Sequence, residues 1–203
     1  MKKKLMTVLA LVLVIALSVA GTYAYLTDTK EVKNTFTVGK VAITLDEAKV
    51  DADGKALPNV PRVDNNSYKL MPGHEYSKDP TVHVTKDSEA CYVFVKVVDE
   101  IAAIEVNDAA NETPNVAAQI AANNWTALEG VEGVNNVYYK QVSAAEAKAG
   151  IDLTVFEGFA IIDTINNTEL AAYNGKTITV TAYAIQADGF DTAKDAWIAA
   201  KFA

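Results

Sequence analysis

The segment 90–98 constrains this chain more than any other. Extended, it places Cys91, Val93, Val95 and Val97 on one face and Tyr92, Phe94 and Val98 on the other. Successive side chains of a strand point to opposite sides, so both faces here need apolar cover. Such a strand belongs near the centre of a sheet with material packed on each side. Segment 81–85 precedes it across the turn Lys86, Asp87, Ser88 and Glu89, and is a strand candidate too. Segment 177–186 alternates, with Ile178, Val180, Ala182 and Ala184 on one face. Further strands are predicted over 125–128, 137–142 and 153–165.

From 35 to 45 the alternation changes phase once. Phe36 and Val38 are even, Val41, Ile43 and Leu45 odd, and Gly39 sits at the switch, where a bulge or bend re-aims side chains. Asp51, Ala52, Asp53 and Gly54 signal a turn, as do Pro72 and Gly73, while 57–66 reads as a loop. Helical signals are short. Residues 107–124 read as a loop-plus-helix insertion, with Val116, Ala117, Ile120 and Ala121 at helical spacing. Ser143 with Glu146 forms a capping box ended by Gly150. Thr192 with Asp195 opens a terminal helix expected to bury Ala193, Ala196, Trp197 and Ala200. About eight strands without βαβ alternation define the expected fold class. It is all-β: an antiparallel, jelly-roll-like β-sandwich with short helical insertions and a C-terminal helix.

The N-terminus is of another kind. Lys2, Lys3 and Lys4 precede an apolar run from Leu5 to Ala20. That is the pattern of a secretory signal peptide, and the run is shorter than the roughly twenty residues that span a bilayer. Small residues offer cleavage after Ala20 or after Ala24. The expected organisation is a signal peptide over 1–24, an extended segment over 25–38 and a sandwich domain over 39–203. The formal net charge is −8, and losing a leader with three lysines and no acid makes the remainder more acidic still. Such a surface repels phosphate backbones, which argues against nucleic-acid partners. Cys91 is the only cysteine, so no internal disulfide forms. An exported chain without disulfides fits a Gram-positive-type bacterium. No lipidation cysteine follows the apolar run and the C-terminus carries no sorting motif, so no stable membrane anchor is expected after cleavage.

Catalytic groups are sparse. His74 and Glu75 begin like a zinc-protease helix, but Lys78 stands where the second histidine ligand is required. His74 and His83 offer either a metal pair across a hairpin or, more simply, a loop and a strand-surface histidine. Asp51 and Asp53 start like a calcium loop whose twelfth position, Arg62, carries no carboxylate. Trp125, Tyr138 and Tyr139 form either an exposed aromatic platform or core. Cys91 reads as a core residue. No catalytic residue, metal ligand or cofactor is expected.

Gly21 to Asp28, then Asn34, Thr35, Phe36, Thr37, Val38 and Gly39 leading into the strand from Val41 to Leu45, resemble the TasA/camelysin family. Leu70, Met71, Pro72, Gly73 and the segment 92–97 are similar as well. The resemblance implies a jelly-roll subunit of secreted biofilm-matrix fibres, self-associating outside the cell. It further implies cleavage between Ala24 and Tyr25 by a SipW-type signal peptidase. In such fibres the freed N-terminal segment adds as a strand to the next subunit. Here Tyr25, Leu26, Val32, Phe36 and Val38 are the apolar residues of that segment, with Gly39 the hinge. Alternatively 25–38 forms this domain's own first edge strand. A camelysin-like metalloprotease and a monomeric surface adhesin are the competing functions.

Overall fold

The computed structural model describes residues 39–107 and 113–202. Nine strands fall in this range: β1 (Ile43–Asp46), β2 (Glu75–Ser77), β3 (Thr81–Val84), β4 (Cys91–Asp99), β5 (Thr126–Ala127), β6 (Val137–Val142), β7 (Ile151–Thr154), β8 (Gly158–Ala160) and β9 (Ile178–Gln186). Every ladder is antiparallel. The sheets run β5-β6-β4-β9, β1-β3-β7 and β2-β8.

Strand β4 holds the central place its two apolar faces require, between β6 and β9. Cys91, Val93, Val95 and Val97 join Val82, Val84, Leu153 and Phe159 in one core that draws on all three sheets. On the opposite face Tyr92 and Phe94 pack with Leu128 and Val137 under helix α4 (Ala193–Ala200), which contributes Ala193, Ala196 and Trp197. Phe94 meets Trp197 edge-on, ring centroids 5.1 Å apart. Side chains of this size each contribute about 1.5–3 kcal/mol when fully buried. Val98 departs from expectation: it is 43% exposed. The β6 ladder ends at Lys96, so at Val98 only β9 still flanks the strand.

The turn 86–89 is a corner between sheets, since β3 and β4 belong to different ones. Ser88 closes it, its hydroxyl donating to Thr85 O at 2.6 Å. The single strand expected over 153–165 is two. Strand β7 pairs with β3 and β8 with β2, and the fully buried Val155 and Phe156 lie between them. Gly158 permits the change of sheet, because a β-carbon there would overlap the Tyr76 carbonyl.

Helix α1 (Val116–Ala122) is capped by Asn115, whose side chain accepts from Ala118 N at 2.8 Å. It buries Val116, Gln119 and Ile120, while Ala117 and Ala121 face solvent against expectation. Gln119 takes the inward position because its amide satisfies backbone groups at the start of β8. It donates to Gly158 O (2.7 Å) and accepts from Glu157 N (2.8 Å). Helix α2 (Ala144–Ala149) carries the full Ser143–Glu146 capping box and stops at Gly150, φ +84°. Helix α3 (Asn167–Leu170), capped by Asn166 and continued by a 3-10 turn over Ala171–Tyr173, was not foreseen. Thr192 caps α4 as expected, but Ala200 is only half-buried.

Candidate functional site

The core is sealed in the middle of the sandwich and open along one seam. On the interior strands Val82, Val93 and Val95 have no solvent exposure. The outermost strands β1 and β9 present Ile43 and Leu45, and Ile178, Val180, Ala182 and Ala184, to the same core, yet all six are only half-buried. Between these edges lies a groove of about 830 Å³. Leu45, Tyr68, Leu70, Phe159, Ile178 and Val180 give it an apolar lining, and residues from 167 to 177 also border it.

One end of the groove is polar. Glu47, just past β1, is 3% exposed. Its Oε2 lies 2.5 Å from Lys78 Nζ, and its Oε1 accepts from Asn66 Nδ2 at 2.9 Å. Asn66 Nδ2 also donates to Ala48 O (2.8 Å), and its Oδ1 accepts from Val50 N (3.0 Å). Tyr68 donates to Ser77 O at 2.9 Å; burial, then the charge of Glu47, raises its phenol above the ordinary value. From Asp46 at the groove rim a charged chain crosses the three-stranded sheet. Arg62 pairs with Asp46 and Asp79, and His83 bridges Asp46 (3.0 Å) and Asp152 (2.6 Å). Burial opposes charging of His83, but these two carboxylates outweigh it and raise its pKa. Burial likewise opposes charging of Asp46, and the bonds from Arg62 and His83 prevail and lower its pKa.

Ala24, Tyr25, Leu26, Val32, Phe36 and Val38 lie outside the described residues. Gly39 begins them; a β-carbon there would sit 2.7 Å from Cγ of Glu89, an exposed side chain free to move aside. His74 bonds Asp53 O at 2.8 Å, whereas His83 lies on β3, so the histidines have separate partners and do not form a pair. Asp51 Oδ1 accepts from Asp53 N and Lys55 N at 2.9 Å each, which makes 51–54 a side-chain-closed turn. Cys91 is buried, and burial pushes its thiol up to about 11. Trp125 is core, donating to Thr154 O at 2.9 Å, while Tyr138 and Tyr139 pack into different clusters, so the three form no platform.

Glu105 was missed. It is buried, its Oε2 accepts from Val116 N at 3.0 Å, and its Oε1 has no partner among the described residues. Burial pushes its carboxyl up to about 7 against the Val116 bond, with Asp99 adding to the rise. A single glutamate between Ile104 and Val106 does not by itself show that its carboxyl turns inward.

Fold and groove define a class: an antiparallel β-sandwich whose core is left open between two edge strands. Residues 1–55 match the family model described as camelysin metallo-endopeptidase. Over that N-terminal stretch the chain is similar to the camelysin family, in line with the resemblance read from the sequence. No curated protein and no solved structure matches it. The family description implies a metal, and the donors among the described residues do not fit one. The matched stretch holds no histidine or cysteine. Residues 75–77 are strand, His74 is bonded to a carbonyl, and Lys78 is paired with Glu47. No cluster of three His, Cys, Asp or Glu suited to a metal occurs among the described residues.

Proposed function

We propose that the chain is a secreted structural subunit of extracellular fibres, joined by exchange of the N-terminal strand. The open seam carries this reading. Apolar side chains stay half-covered on β1 and β9, each of which ends its sheet with one unpaired edge, and an apolar groove lies where residues 45–47 and 178–180 border it. An incoming segment gains main-chain hydrogen bonds along a free edge and pockets for alternate side chains. Left unfilled, such an edge is an aggregation liability. Segment 25–38 has the matching chemistry: Tyr25, Leu26, Val32, Phe36 and Val38 supply apolar groups in an otherwise polar stretch. On this reading a SipW-type peptidase cleaves after Ala24 and frees Tyr25 outside the cell. The camelysin family and the acidic surface agree with a cell-surface or matrix location. Among the described residues, no helix is long and apolar enough to cross a membrane.

Electron microscopy of two purified chains tests the proposal, one beginning at Tyr25 and one at Gly39. Fibres are expected from the first and monomers from the second. Identical behaviour of the two, or monomers throughout a series of salt and pH, would refute strand exchange. Chelator-sensitive casein cleavage by the clean protein would instead favour the protease reading.

A further inference from the structure

Glu47 joins a lysine and an asparagine through its two carboxylate oxygens. We propose that Lys78, Glu47 and Asn66 form an autocatalytic site that makes an intramolecular isopeptide bond between Lys78 Nζ and Asn66 Cγ.

The burial of Lys78 is unusual for this protein. Its side chain is 12% exposed and that of Glu47 5%, whereas the lysines of the other described ion pairs are 45–74% exposed. Lysine is almost never buried unless paired, and a buried pair is a poor source of stability because desolvation offsets the attraction. A reaction accounts for the arrangement better than stability does. One carboxylate holds both the amine and the side-chain amide that the reaction joins. Glu47 Oε2, at 2.5 Å, is positioned to take a proton from Nζ and leave the neutral amine that can attack. Asn66 Oδ1, where negative charge develops on attack at Cγ, already accepts the Val50 N–H at 3.0 Å. Asn66 Nδ2, the leaving group, is held by Glu47 Oε1 and Ala48 O, so the same carboxylate reaches both nitrogens. Tyr68 and Pro80 line the groove beside these side chains.

The step balances without a further reactant. The Nζ–Cγ bond forms and the Cγ–Nδ2 bond breaks. Of the three protons on Nζ, one stays on the new amide and two leave with Nδ2 as ammonium. Glu47 relays one of them and ends ionised, as it began. The product ties the loop after β1 to the residue that follows β2, and encloses the Pro72–Gly73 turn and β2 in a covalent ring at the polar end of the groove. Fibre formation plays no part in the reaction, so each claim stands or fails alone.

Intact-mass spectrometry of the purified full chain tests it. The expected mass is lower by one ammonia, and a tryptic digest yields a branched peptide joining positions 66 and 78. Glu47→Gln and Lys78→Arg are expected to keep the unreacted mass while circular dichroism shows them folded. Asn66→Asp, if it reacts, is expected to lose one water instead. An unreacted mass in folded wild-type protein after prolonged incubation would overturn the proposal. So would an ammonia loss that persists in Lys78→Arg, which marks cyclisation of an asparagine on its own backbone.

Discussion

Lys78 occupies the position at which a zinc-protease helix needs its second histidine, and the structure gives it other work. The sequence argued against the metal motif on that residue and on the Pro72–Gly73 turn before it. It did not reveal the partner, because Glu47 lies in a different part of the chain and meets Lys78 only when β1 and β2 reach the same groove end. Glu105 was illegible for a similar reason, as burial comes from its surroundings. Its effect on stability has a definite sign. The folded-state pKa is raised to about 7, so the folded protein keeps a proton that the unfolded chain releases. The contribution is complete below the ordinary glutamate value of about 4.3 and is lost as pH rises through about 7. His83, also raised, adds a decline in the same direction at higher pH. Thermal melts of Glu105→Gln are expected to show a shallower fall in midpoint between about pH 5 and 8 than wild type, with the shares of Asp99 and His83 remaining. A fall as steep as that of wild type would contradict the assignment.

At the scale of elements, legibility followed local chemistry. The Ser143–Glu146 box with Gly150 was read correctly because every group it uses lies within one helical turn. Ser143→Ala is therefore expected to cost about 1 kcal/mol in a denaturant titration, with the slope unchanged. Strand β4 was readable because both its faces are apolar, which leaves few places for it in a sheet. The stretch 153–165 was not, since an apolar run gives no sign of where it changes sheets. Only the close approach of Gly158 to the Tyr76 carbonyl shows why the break falls there. Gln119 misled the helix pattern because its inward place is set by the backbone of β8, a partner distant in sequence.

At the scale of the molecule, the number and order of the strands made the sandwich legible, and the open seam was not. Its walls come from β1 and β9, which are far apart in the sequence, and neither pattern reveals that it is an edge. Half-burial of Leu45 and Val180 is a property of the assembled sheets. It bears directly on the proposed strand exchange, because it marks where an added strand gains contacts. Val180 borders the groove, and as a half-buried edge residue it tolerates a charge better than the sealed Val93 or Val95. The most direct measurement is electron microscopy of the chain beginning at Tyr25 with Val180→Asp, beside the unaltered chain. Strand exchange through this seam requires the variant to remain folded by circular dichroism yet form no fibres under conditions in which the unaltered chain does. Fibres of ordinary number and form from the folded variant would contradict it.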